Sequence, residues 1–187
     1  MRPLLFIDTE TTGLDPSKAR LLEVAVGVVD PETLTELWSA NWVLPCPDLE
    51  TVFNDTDTYV QNMHTVNGLW ADVHQATEGL DTNQISEQFD RTQSEILENL
   101  ARFGIGHSSK VPICGYNPGF DLGFLQAYLP GLAKVFTHTK GDVRSLELFA
   151  TGWDCNKHTP NNHSHRAHDD LQDEIEALRH YRRELGQ

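Results

Sequence analysis

The stretch Phe6–Leu14, FIDTETTGL, decides how the rest of the 187-residue chain is read. A short apolar run, Leu4 to Ile7, leads directly into Asp8 and Glu10, two carboxylates one residue apart. Such a run reads as a buried strand, and a buried strand carries charge only where the charge has a partner or a task. Side chains alternate along a strand, so Asp8 and Glu10 project from one face, about 7 Å apart along the chain. Like charges so placed repel unless a cation sits beside them, and an all-oxygen ligand set favours Mg²⁺ or Mn²⁺ over zinc. Taken alone, the pair reads equally well as two ordinary acids where a strand emerges into solvent.

Outward from that strand, Leu21–Asp30 (LLEVAVGVVD) is rich in valine and half alternating, DPET is a turn signal, and Leu34–Leu44 forms a third strand. Links this short favour an antiparallel meander. The region from Pro45 to Asn83 is polar and mixed, with a short helix around Tyr59–Leu69. Ile85, Phe89, Ile96, Leu100 and Phe103 recur at roughly helical spacing and end at Gly104, a C-capping residue. VPICGY is a short buried strand; Phe120–Leu129 and Arg166–Leu185 are helical. No repeat or linker interrupts the chain. The expectation is one α/β domain over residues 1–187, with a mixed sheet that starts as three antiparallel strands and has helices after it.

Composition narrows the partners. No apolar run approaches the roughly 18 residues of a membrane span, and the N-terminal apolar stretch is too short for a signal peptide. Cys46, Cys114 and Cys155 are scattered without a C-x-x-C pair, which suits a reducing compartment and predicts a cytoplasmic protein. The net charge of −14 argues against a grip on long duplex DNA. Either nucleic acid is not the substrate, or the contact is short and metal ions supply the positive charge; an acidic surface that serves solubility alone is the third reading.

Two further acidic sites stand out. In CGYNPGFDLGFL, Asp121 follows a strand and a Gly/Pro turn and falls in the first turn of an aromatic-rich helix, where the helix dipole alone would favour an acid. In HSHRAHDDLQDEIEALRHY, the inward stripe is Ala167, Leu171, Ile175 and Leu178. That register puts Asp170 at the edge of the stripe. It turns Asp169, Asp173 and His168 away, so Asp173→Ala is expected to be silent. His165 lies five residues before Asp170, just ahead of the helix, where a loop can aim it at the same pocket. His163, His165 and His168 could instead suggest zinc, but no cysteine or regular helical histidine pair supports that.

DTETTGLD, NPGFDLGFL and HRAHDD stand in the order and spacing of the three exonuclease motifs of the DnaQ-like superfamily, in the subgroup with four acids and a histidine. The chain is most similar to the oligoribonucleases, which TGLDPSKARLLEVAVGVVD, MHTVNGL, PICG, DVRSLEL and ALRHYRREL also resemble. The resemblance implies an RNase H-like fold and a 3′→5′ exonuclease. Asp8, Glu10, Asp121 and Asp170 would hold two Mg²⁺ or Mn²⁺ ions about 4 Å apart, and His165 would take the proton of the attacking water. Leu14 and Tyr59 would flank the terminal bases, with Tyr59 where the family usually has tryptophan; His64 would sit near the same pocket, and Asn117 follows the generic exonuclease pattern. The substrate would be short single-stranded RNA or DNA, with oligoribonucleotides favoured. A homodimer is implied as well, or a polymerase partner if the enzyme proofreads DNA. One departure is Thr137–Lys140, THTK, where oligoribonucleases carry a His-Tyr-Arg group that helps cap a dinucleotide. An inactive, binding-only module would usually lack a metal ligand, and none is missing here.

Overall fold

A computed structural model describes residues 2–153, 155–160 and 164–186. The meander forms as the sequence suggests: β1 (Leu4–Thr11), β2 (Leu21–Val29) and β3 (Glu36–Val43) pair antiparallel, with Asp8 opposite Ala25 and Glu10 opposite Glu23. The chain then forms helices α1 (Leu49–Asp55), α2 (Thr58–Val66), α3 (Leu69–Thr77) and α4 (Thr82–Ala101). It re-enters the sheet as β4 (Val111–Gly115), passes through α5 (Gly119–Tyr128) and α6 (Pro130–Ala133), and adds β5 (Phe136–Asp142). Helices α7 (Val143–Gly152) and α8 (Ala167–Glu184) follow. The strand order is β3-β2-β1-β4-β5, with β1, β4 and β5 mutually parallel.

Alternation on β1 divides the core. Leu5 and Ile7 pack with Val24, Val26, Ile96, Leu100, Phe124 and Leu125 on the side of α4 and α5. Phe6 packs with Ala25, Leu171, Ile175 and Tyr181 on the side of α8. The parity that sends Phe6 toward α8 also sends Asp8 and Glu10 there. Gly27, opposite Phe6, lets α8 lie close: a Cβ at this position would come within 2.9 Å of Leu171 Cδ2.

The sequence reading missed α1, α3, α6, α7 and β5. The segment between β3 and α4 carries three short helices where one was expected, and α1 and α3 pack around Leu22, Cys46, Leu69, Trp70 and Val73. In β5 only Phe136 is buried, so this edge strand has no apolar alternation to betray it. The long helix α4 is well signposted: Asp81 accepts from the backbone N–H of Asn83 and Gln84, and Gln84 Oε1 accepts from the Asp81 N–H at 2.8 Å. Gly104, with φ of 72°, follows its C-terminal end.

The expectation that Asp173 faces away from the core is overturned. Asp173 is only 8% exposed. A single-stripe reading assumes that one face of a helix is covered. Here the segment before α8 covers a second face: His158 is buried, and its backbone N–H donates to Tyr181 Oη at 3.0 Å.

Candidate active site

Strand β1 pairs with β4 only at Leu5 and Phe6, so its charged end runs on beyond the short parallel neighbour. Crevices at the carboxyl ends of such strands are where open α/β sheets bind ligands. A pocket of about 270 Å³ opens there, lined by Asp8, His165, Asp170, Asp173 and Glu174, with Tyr116 and Arg144 on its wall.

Two anchors aim the third acidic segment at β1. Glu23 on β2 is fully buried, and both of its oxygens accept from Arg166, from Nε and Nη2 at 3.0 Å each. Asn41 Nδ2 at 2.7 Å and the Ala167 backbone N–H at 3.1 Å complete the set, so the start of α8 is tied to the sheet. The second anchor is Asn67, just after α2. Its Nδ2 donates to the Ser164 carbonyl at 3.0 Å and to the His165 carbonyl. His165 itself has a φ of 49°, a left-handed conformation unusual for a side-chain-bearing residue.

The result is a convergence. Ligand atoms of Glu10, His165 and Asp170 all lie within 4.8 Å of one another. His165 Nδ1 is 3.9 Å from Asp170 Oδ2. Asp121, in the first turn of α5, is 4% exposed and accepts from Thr9 Oγ1 at 2.7 Å. Asp8 shares the pocket with Asp170 and His165. The five residues singled out for chemistry therefore gather at one end of β1. Of the zinc alternative, His168 Nε2 instead lies 3.2 Å from Ser39 Oγ on β3, and His163 falls outside the described residues.

Electrostatically this is a site short of positive charge. Burial pushes the Glu10 carboxyl up to about 9, aided by the charges of Asp170 and Glu23. Burial likewise lifts Asp121 to about 7, against the bond from Thr9. Asp8 is held well above the ordinary carboxylate range by burial first, then by the charges of Glu174, Asp121, Glu10 and Asp170. Such a donor set, hard oxygens with one imidazole, fits divalent cations: their charge would let all these groups ionise together.

The expected substrate contacts are spread differently. Tyr59 and Leu14 are exposed, at 69% and 85%. His64 is fully buried beneath the site, with Nε2 3.7 Å from Glu10 Oε2 and 3.2 Å from the Thr11 carbonyl. Burial holds its pKa below the ordinary value. The ring is packed beneath the acids rather than open to a substrate. Asn117 is exposed, with φ of 52°, and its backbone N–H donates to Asp142 Oδ1 at 3.1 Å.

Glu174, Glu23 and Asn67 escaped the sequence reading. For Glu174 a signal existed: it lies four residues after Asp170, hence on the same helix face. Its Oε1 accepts from the Tyr116 backbone N–H at 2.6 Å, and burial raises its pKa well above the ordinary value.

No family model matches the chain. It is 31% identical over 186 residues to the oligoribonuclease of Halorhodospira halophila, covering 97% of this chain and 93% of that protein. It is 32% identical over 181 residues to that of Haemophilus ducreyi, covering 96% and 92%. Among solved structures, an exonuclease I superposes with a TM-score of 0.63 at 15% identity, over 98% of this chain. The Escherichia coli exonuclease I solved with a 5cy-dA13 oligonucleotide gives 0.59 at 15% identity, over 97%. The chain spans only 41% and 40% of those two chains, and the likeness shows a shared RNase H-like fold. Near-complete coverage of the oligoribonucleases at this identity, with the DnaQ-like motifs in place, makes the protein a nuclease: the chain belongs to the oligoribonuclease family.

Proposed function

We propose that residues 1–187 form a single catalytic domain that removes nucleotides from the 3′ end of short single strands, oligoribonucleotides in preference to DNA, using two Mg²⁺ or Mn²⁺ ions. The observation that carries this reading is the meeting of Glu10, His165 and Asp170 at the charged end of β1. Asp8, Glu10, Asp121 and Asp170 would hold the ions. Bound there, divalent cations supply Lewis acidity and offset the charge of the phosphate and its leaving 3′ oxygen. His165, held by Asn67 at the mouth of the pocket, accepts the proton of the attacking water at an imidazole nitrogen. Exposed Tyr59 and Leu14 offer apolar surface to terminal bases, a sequence-tolerant mode of contact. Arg144, the cation on the pocket wall, lies 4.6 Å over the Tyr116 ring and can meet a substrate phosphate.

The net charge of −14 supports short substrates, since two divalent ions still leave the protein acidic. Three free cysteines support a cytoplasmic setting, and among the described residues no helix is long and apolar enough to cross a membrane. A homodimer is part of the same reading. The test is a panel of labelled dinucleotide RNA, longer single-stranded RNA and single-stranded DNA with Mg²⁺, with products resolved by length. Fastest turnover of the short RNA supports the proposal. Preference for long DNA would favour a proofreading exonuclease that works with a polymerase, and no cleavage with either metal would leave a binding module.

A further inference from the structure

Glu174 is buried to 2% exposure in the wall of the acidic pocket, and half of its carboxylate has no work in the fold. Oε1 is used, accepting from the Tyr116 backbone N–H at 2.6 Å. Oε2 is buried and has no hydrogen-bond partner among the described residues. A carboxylate oxygen withdrawn from water without a donor is destabilising, and it is retained where something absent from the protein alone completes it.

The surroundings say where that oxygen is held. A Cβ at Gly115, the last residue of β4, would lie 2.9 Å from the Ile7 carbonyl oxygen and 3.2 Å from Glu174 Oε2. The Glu174 carboxylate therefore lies against the end of β4, where the Ile7 carbonyl of β1 also closes in on Gly115. Gly115, with φ of 153°, clears the space for it. On α8, Glu174 stands one turn after Asp170, so both side chains leave the helix toward the same pocket.

We propose that Glu174 is a fifth carboxylate of the metal centre, its free oxygen completing the negative charge that holds the cation beside Asp8. The inference rests on the metal-dependent reading above and adds a ligand group to it. The alternative is a purely structural role, fastening the β4–α5 turn through Tyr116, and that role needs only an acceptor. Glutamine at 174 preserves size and the acceptor while removing the charge.

The experiment compares the wild-type protein with Glu174→Gln, each stripped of metal and titrated with Mn²⁺ in a calorimeter, alongside metal-free thermal unfolding. The expected result is Mn²⁺ affinity weakened by about 10–100-fold in Glu174→Gln. Its metal-free melting temperature should match that of the wild type, because glutamine keeps the size of the side chain and its acceptor for the Tyr116 N–H. Equal Mn²⁺ affinity in the two proteins overturns the inference. So does failure of Glu174→Gln to fold without metal, which would show that the fold itself requires the carboxyl group. A wild-type protein that binds no Mn²⁺ overturns the metal-dependent reading instead, and the two failures are thereby told apart.

Discussion

His165 illustrates how much a single position can be asked to do. Its left-handed backbone is stabilised from outside by Asn67, and its ring faces Asp170 at 3.9 Å across the mouth of the pocket. A side chain that only moves a proton should be removable without disturbing the fold. His165→Ala is expected to lower kcat by about 10²–10⁴-fold while leaving the melting temperature unchanged, as steady-state rates with Mn²⁺ and thermal unfolding will show. Turnover near the wild-type value would assign the proton to another group. Individual residues were unevenly legible. Strand parity put Asp8 and Glu10 on one face and helix register put Asp170 at the edge of the apolar stripe, because both are local rules; it was the family resemblance that joined these acids to Asp121 and His165. Asp173 could not be placed this way, because it is buried although it lies off the apolar stripe, and helical periodicity does not encode how the segment ahead of α8 ties back onto the helix through the His158 N–H and Tyr181. Asp173→Ala is therefore not the inert control that register alone suggested.

At the scale of elements, the site depends on how α8 is docked. The helix brings Asp170 and Glu174 to β1 because Arg166 and the Ala167 N–H are fastened to Glu23, a carboxylate with no exposure at all on β2. Removing one partner of a buried pair leaves an uncompensated charge, so Arg166→Ala should destabilise the protein by about 3–5 kcal/mol in denaturant unfolding. Loss of less than about 1 kcal/mol would mean that Asn41 and the backbone N–H satisfy Glu23 by themselves. The sequence showed Glu23 only as an acid within a valine-rich strand. Its partner lies 143 residues away, a pairing that only the folded sheet reveals. The meander and α4 were readable from alternation, turn signals and capping residues. The polar edge strand β5 and the short helices α1 and α3 take their form from what they pack against.

For the whole molecule, stability and function pull against each other at the end of β1. In the metal-free protein Glu10 titrates at about 9 and Asp121 at about 7, against ordinary values near 4. The folded state thus holds protons that the unfolded chain releases. Stability is greatest below the unfolded values and falls as pH rises through about 7 and about 9. Metal-free thermal unfolding between pH 5 and 9 should show a declining melting temperature. Saturating Mn²⁺ should raise it most at the alkaline end, where the carboxylates are free to bind. A flat metal-free profile would mean that these groups are already ionised and compensated within the fold.

The most direct test of the account is anomalous diffraction from crystals of the protein soaked in Mn²⁺. Two peaks about 4 Å apart are expected among Asp8, Glu10, Asp121 and Asp170. Ions elsewhere, or none at these acids in crystals otherwise saturated with metal, would contradict it.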